Sequence, residues 1–430
     1  MPLAPPRTGL SRVLQDPDLL GSGSIALCTN YTAVTDGLGR GVDALVAAGL
    51  PVRCLLTPEH GYWGGVQAGE SEGDGQDEAT GLPVLDTYGV SGADLDALLE
   101  RTAADQVVLD LQDIGTRFYT YTWTLFDLLC SAARTGHQVM VLDRPNPLGT
   151  GVAGPGLDPA CASFVGRVSI PLQHGRTLGE LARWFNAVHV PAATGARAAL
   201  AVVQVTDPDG DTGAHGQLWV PPSPNMPTRT TAQLYPGTGL LEGTTLSEGR
   251  GTTKPFELFG APWTDARLAA ALAEQALPGV QVREAVFVPM FAKHAGARVH
   301  GAQLHLNDPS AFDPVRTGHT LLSTLATLYP EQPLWREAAP GRPHFLDLLW
   351  GWTTCSVGHW PSTGGHAAGR RCTSRAWRCW RRWSSPHRSG TCTGSRTSSP
   401  VGSGNASPSP VRWRPSPRCC SPTNRCPCWT

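Results

Sequence analysis

The chain has 430 residues, of which 16% are charged and 40% hydrophobic, a length that allows two domains with real cores. Its formal charge of -1 hides an uneven distribution: residues 353–430 hold 12 of the 34 basic side chains and no acidic one, leaving 22 basic against 35 acidic in residues 1–352. A body with a formal charge of -13 argues against nucleic acid as its main partner, since phosphate binding needs a positive face. No hydrophobic run approaches the roughly 18–20 residues of a membrane span. Met1–Gln15 carries two arginines but no apolar segment of a secretory leader, so cytoplasmic residence is the default expectation.

In chain order, Ser24–Cys28 reads as a short apolar strand ending at Thr29-Asn30, Val42–Leu50 as a helix and Val52–Leu56 as the next strand. Ser91-Gly92-Ala93-Asp94 has the pattern of a capping box opening a helix on Leu95, Leu98 and Leu99. Gln106–Leu111 is a further strand, followed by a helix carrying Trp123, Phe126 and Leu129. The strand Gln138–Leu142 is closed by Asp143-Arg144-Pro145-Asn146-Pro147, and Thr177 with Glu180 caps a helix carrying Leu181, Trp184 and Phe185. Continuous aliphatic strands separated by amphipathic helices predict an α/β fold, a Rossmann-like parallel sheet covered on both faces, over residues 10–228.

After residue 228 the pattern changes. A polar, Gly-rich stretch (Tyr235–Trp263) precedes a helix (Ala266–Ala276), two extended segments (Val280–Phe287 and Arg298–Leu306) and a last helix (Val315–Leu328). This predicts a smaller α+β domain over residues 229–352, cut short where the composition breaks. Residues 353–430 contain no Leu, Ile, Phe, Met or Tyr, yet hold eight of the twelve cysteines and six tryptophans. Such a segment is expected to be unstructured, and its Arg, Pro, Ser, Trp and Cys are what translation of a GC-rich gene in the wrong frame yields. Its cysteines lack paired zinc-knuckle spacing. The four cysteines of the body (Cys28, Cys54, Cys130 and Cys161) lie in or near apolar segments, as inert buried thiols do.

Parallel strands bring their carboxyl ends to one rim, where open α/β sheets place ligands. That rim gathers Thr29, Asn30, Glu59, His60, Gln112, Asp113, Arg117, Tyr119, Asp143, Arg144 and Asn146. Asp143 and Arg144 could instead pair with each other, and Asn146 between two prolines could fix a turn. Glu59 stands out, in Thr57-Pro58-Glu59-His60-Gly61 with Tyr62 and Trp63 close behind. Cleavage of a glycosidic bond needs a proton donor of raised pKa, and a glutamate at the end of a buried strand suits that task; it could also cap a turn. Two loops add polar groups: Pro222–Thr228, containing Asn225, and Glu242–Thr253, which combines Glu242, Glu248, Arg250 and Thr252 with three glycines. His174 and His294 are isolated, so no metal is expected. The spacings of a phosphate-binding loop, a dinucleotide fingerprint and a serine-hydrolase elbow are all absent from the sequence.

The stretches LLTPEHGYWGGVQAGE, TGLPVLDTYG, DLQDIGTRFYTYTWT, DRPNPLG, PSPNMPT and YPGTGLLEGTTLSEGRGTTKPFELFGAPW together resemble the exo-β-N-acetylmuramidase (NamZ-like) family, formerly a domain of unknown function. The resemblance covers about residues 20–351 and implies a Rossmann-like domain, a smaller C-terminal domain, and an active site in the cleft between them. It also implies release of N-acetylmuramic acid from the non-reducing end of peptidoglycan-derived glycans, without a cofactor, with Glu59 as the catalytic glutamate. A lactyl carboxylate would want a cation, for which Arg117, Arg144 and Arg250 are the choices. The second catalytic group is left among Glu242, Glu248, Asp113 and the substrate's own acetamido group. The expected site thus comprises Glu59 and His60 for catalysis, with Asn30, Asp113, Arg117, Tyr119, Asp143, Arg144, Asn146, Asn225, Glu242, Glu248, Arg250 and Thr252 for binding muramyl-containing saccharides.

Overall fold

The alternating apolar and amphipathic segments resolve, in a computed structural model describing residues 7–206, 218–338 and 343–351, into a seven-stranded sheet and a separate three-stranded one. The tail from residue 353 lies outside the described residues. The large sheet comprises β1 (Ile25–Thr29), β2 (Val52–Thr57), β3 (Gly75–Gln76), β4 (Pro83–Asp86), β5 (Gln106–Asp110), β6 (Gln138–Leu142) and β7 (Ala199–Val203), in the order β3-β4-β2-β1-β5-β6-β7. All its pairings are parallel except β3 with β4. The carboxyl ends of β4, β2, β1, β5, β6 and β7 therefore share one rim.

Side-chain alternation along each strand divides the core. Ile25, Leu27, Leu55, Val108 and Met140 face α1 (Gly9–Gln15) and α2 (Gly41–Ala47) through Leu10, Val13, Val42 and Leu45. Ala26, Cys28, Leu56, Leu109 and Val141 face the other way. They pack in one cluster with α3 (Ala93–Arg101), α4 (Tyr121–Thr135) and α5 (Leu178–Thr194) through Leu95, Leu99, Trp123, Leu129 and Phe185. Both faces are covered, as the unbroken apolar strands predict. The Thr177–Glu180 capping box is formed. The expected box at Ser91 is not: α3 starts from Gly92 at φ 61 without a side-chain cap, and Asp94 and Asp96 in its first turn complement the helix dipole instead.

The second, smaller domain holds α6 (Arg229–Thr238), β8 (Leu258–Ala261), α7 (Ala266–Glu274), β9 (Val280–Phe287), β10 (Val299–Leu306), α8 (Pro314–Leu328) and α9 (Phe345–Trp350). Its strands form an antiparallel sheet in the order β8-β10-β9. The Tyr235–Trp263 stretch, polar and glycine-rich on paper, includes the end of α6, a short 3-10 helix (Gly239–Gly243) and β8. Its glycines serve contact: a Cβ on Gly237 would lie 2.0 Å from the Pro314 carbonyl oxygen of α8, so α6 and α8 meet backbone to backbone. One apolar cluster continues from Leu109 through Phe118 and Tyr119 to Tyr235, Phe256, Leu268 and Leu321. Phe118 meets Tyr235 edge-on at 5.1 Å, and Tyr235 meets Phe256 at 4.6 Å.

The four body cysteines are free and buried, and burial pushes Cys28 up to about 12 and Cys54 up to about 11, so neither forms a reactive thiolate near neutral pH. Among the described residues no helix is long and apolar enough to cross a membrane, and no cluster of His, Cys, Asp or Glu could hold a metal ion.

Candidate active site

Pro58 ends β2, and His60 (φ 75) and Gly61 (φ 74) then turn the chain back over the rim. A left-handed histidine is uncommon. It is held by its amide on the Glu70 carbonyl at 3.2 Å and by Nδ1 donating to the Val66 carbonyl at 3.0 Å. Folded in this way, the loop lies over Glu59, which is only 8% exposed. One oxygen of Glu59 accepts from the Gly69 amide at 2.7 Å, and the other accepts from the Thr120 hydroxyl at 2.6 Å. Burial lowers the pKa of His60 and outweighs the pull of Glu59, so its imidazole stays neutral at pH 7.

Opposite this loop stands a charged group from the second domain. Arg250 donates to Glu242 at 2.7 Å, lies 3.3 Å from Glu248 and stacks over the Phe256 ring at 5.0 Å. Burial disfavours its charge, yet the carboxylates of Glu242 and Glu248 raise its pKa above the ordinary value. Lys293 completes the group, donating to Glu248 at 2.8 Å. Gly251 permits this closure. At φ 80 a Cβ there would sit 2.6 Å from the Phe291 carbonyl oxygen, and without one the Met290 amide reaches the Gly251 carbonyl at 2.9 Å. Between the two sides lies a cavity of about 760 Å³, lined by Gln67 and Ala68 on one side and by Glu242, Glu248, Arg250, Phe291, Lys293, His294 and Arg336 on the other. Gln67 is braced by Asn225, whose amide donates to it at 2.8 Å, and Thr252 shapes the Arg250 loop by donating to the Gly249 carbonyl at 2.6 Å. Of the expected residues, Glu242, Glu248 and Arg250 line this cavity, while Glu59, His60 and Asn225 bond to the 66–69 segment on its other side and Thr252 bonds within the Arg250 loop.

The other expected residues have structural partners. Arg117 is fully buried and donates to the carbonyls of Pro155 (2.7 Å), Ile170 (3.0 Å) and Leu349 (2.8 Å). Burial lowers its pKa to about 9, which keeps it protonated at neutral pH. Asp143 and Arg144 do not pair through their side chains. Arg144 grips Asp110 of β5 with two nitrogens, at 2.5 and 3.0 Å, in a fully buried pair. Asp143 caps α5, accepting from the Gly179 amide and the Thr177 hydroxyl at 2.8 Å each. Asn146 fixes the turn by accepting from Leu148 and donating to the Arg176 carbonyl. Asn30 donates to the Tyr121 hydroxyl at 2.8 Å, and Tyr119 packs edge-on against Tyr121 at 4.9 Å. Asp113 is held by the Gly115 amide at 2.7 Å and by His174 at 3.2 Å.

Asp143 carries a measurable consequence. Burial pushes its carboxyl up to about 6, against the hydrogen bonds from Gly179 and Thr177. Between its unfolded pKa near ~3.9 and that value the native state binds the proton more tightly, so stability falls as pH rises through the window. Urea midpoints measured from pH 4 to 7 should show this fall in the wild-type chain and a flatter profile in Asp143→Asn. Parallel profiles would exclude Asp143 as its source.

Reading the sequence missed Thr120 and Lys293. Thr120 sits in RFYTYTWT with nothing local to link it to Glu59, 61 residues away. Lys293 had one signal, rarity, because the chain contains only two lysines, Lys254 and Lys293.

A mostly parallel α/β sheet with a hydrogen-bonded glutamate at a strand end, beside a cleft walled by an ion-paired second domain, is equipment suited to a glycoside-cleaving enzyme. Residues 25–230 match the family model described as exo-β-N-acetylmuramidase NamZ, N-terminal, and residues 233–356 match its C-terminal counterpart. The chain belongs to this family and is a glycosidase. It is 43% identical over 331 residues to the peptidoglycan β-N-acetylmuramidase NamZ of Bacillus subtilis (strain 168), an alignment covering 76% of this chain and 78% of that protein. Two crystal structures of DUF1343 family proteins from Bacteroides fragilis NCTC 9343 are also similar. One has a TM-score of 0.72 at 31% identity, covering 82% of this chain and 90% of the other. The second has a TM-score of 0.62 at 27% identity, covering 81% and 88%.

Proposed function

We propose that the chain releases N-acetylmuramic acid from the non-reducing end of peptidoglycan fragments, in the cleft between the Gln67–Ala68 loop and the second domain. Glu59 is the general acid in this reading. The observation that carries it is the placement of the Glu59 carboxyl at the end of β2, between the Gly69 amide and the Thr120 hydroxyl, behind the loop that lines the cleft. A wall built from a second domain suits an exo-acting enzyme, which must close its pocket beyond one terminal sugar. Of the three arginines that could meet a lactyl carboxylate, Arg250 is the one lining the cavity, while Arg117 and Arg144 are engaged elsewhere. The experiment is incubation of the purified chain with N-acetylmuramyl–N-acetylglucosamine, followed by mass spectrometry. Free N-acetylmuramic acid is the expected product. Saturable binding with no product would replace the reading with that of a binding module.

A further inference from the structure

The TGLPVLDTYG stretch takes no part in the site described so far, yet the strand register leads it there. β4 runs parallel to β2 with Leu55 beside Val84, Leu56 beside Leu85 and Thr57 beside Asp86. Beyond the strand ends Thr87 keeps the pairing, its amide and hydroxyl both donating to the Thr57 carbonyl, at 3.0 and 2.7 Å. Tyr88 follows Thr87 just past this pairing, near enough to Glu59 for that carboxyl's charge to act on its phenol. Its backbone is pinned, because its amide donates to Asp86 at 2.8 Å while the other oxygen of Asp86 accepts from the Ser71 hydroxyl.

The Tyr88 ring is fixed by packing. It meets Phe164 edge-on at 5.2 Å, Arg167 stacks over Phe164 at 5.4 Å, and Arg167 is paired with Asp127 at 2.8 Å. Its hydroxyl differs from those of Tyr31, Tyr62, Tyr121 and Tyr329, each of which has a protein partner. Tyr88 is half-buried, and its hydroxyl has no hydrogen-bond partner among the described residues. A rigid aromatic ring with a free donor at the polar rim of a sheet is suited to a sugar, whose ring face packs on the aromatic surface while its oxygens seek donors. We propose that Tyr88 is a further substrate-contacting residue of this site, its ring walling the sugar whose leaving oxygen Glu59 protonates and its hydroxyl donating to a sugar oxygen. The inference rests on the reading of Glu59 as the reacting carboxyl. Burial, then the nearby charges of Glu59 and Asp86, push the Tyr88 phenol up to about 12, so it remains a donor across the working range of pH.

Tyr88→Phe keeps the ring and removes the donor, and Tyr88→Ala removes both. In the full chain, hydrolysis of a chromogenic N-acetylmuramide should fall about tenfold in kcat/KM for Tyr88→Phe, as loss of one hydrogen bond predicts. Tyr88→Ala should lose about a hundredfold. Calorimetric affinity for free N-acetylmuramic acid should weaken in the same order, with the melting temperature of Tyr88→Phe unchanged. Wild-type kcat/KM together with wild-type affinity in Tyr88→Phe would overturn the inference and leave Tyr88 a packing residue. A wild-type chain that binds the sugar without cleaving muramides would sink the proposed reaction, and the affinity of Tyr88→Phe would still decide the contact. Absence of both binding and cleavage in the wild type would remove both readings. Should Tyr88→Ala fail to fold, Tyr88→Phe alone decides.

Discussion

Glu59→Gln should lower release of N-acetylmuramic acid from the natural disaccharide by roughly 10³–10⁴-fold while leaving the melting temperature within a degree or two of wild type, since a positioned general acid contributes about 10²–10⁴. The substitution is nearly isosteric. A glutamine at this position can still accept from the Gly69 amide, and its own amide can donate to the Thr120 hydroxyl, so both contacts of the native carboxyl group survive. What disappears is the transferable proton. The loss should therefore depend on the leaving group. An N-acetylglucosamine alkoxide needs that proton, whereas a nitrophenolate departs with little help, so the chromogenic substrate should suffer far less than the disaccharide. Equal losses on both substrates would mean that Glu59 does something other than protonate the leaving oxygen. Near-normal turnover of the disaccharide would remove it from the chemistry altogether.

Arg117→Met should destabilise the chain by roughly 3 kcal/mol, because three buried carbonyl oxygens lose their donor at once, partly offset by no longer burying a cation. Those oxygens belong to Pro155, Ile170 and Leu349, so the guanidinium ties the segment after β6 to the last turn of α9. Gly351, at φ 87, is part of the same arrangement: a Cβ there would meet the guanidinium at 2.4 Å. A thermal melt should register the loss, and kcat/KM of the remaining folded protein should stay near wild type. The opposite pattern, an intact melt with a large rise in KM for muramides, would return Arg117 to the substrate, as the sequence pattern suggests.

That contrast shows what could be read from the residues alone. The sheet was legible because each buried strand is an uninterrupted aliphatic run and each covering helix carries its own periodic leucines and aromatics. The position of Glu59 followed directly, since a parallel sheet aligns its strand ends. Pairings between distant segments leave no such trace. Arg144 stands next to Asp143 in the chain but bonds Asp110, 34 residues earlier. Thr120 reaches Glu59 only because α4 starts beneath the loop that follows β2. β7 and β4 were unforeseen for a different reason. Their four or five residues, only one of them fully buried in each strand, give too little pattern to separate from a loop. In the second domain, the glycines of the Tyr235–Trp263 stretch hid its helix end and strand, because close packing of backbones needs no bulky side chains.

The apolar cluster that runs from Leu109 to Leu321 also constrains how the molecule can be divided. Severing the chain near residue 230 would strip Phe118 and Tyr119 of their neighbours on one fragment and expose Tyr235 and Phe256 on the other. Neither fragment would be a self-sufficient folding unit, so the glutamate and the charged wall facing it are gained or lost together in a single melting step.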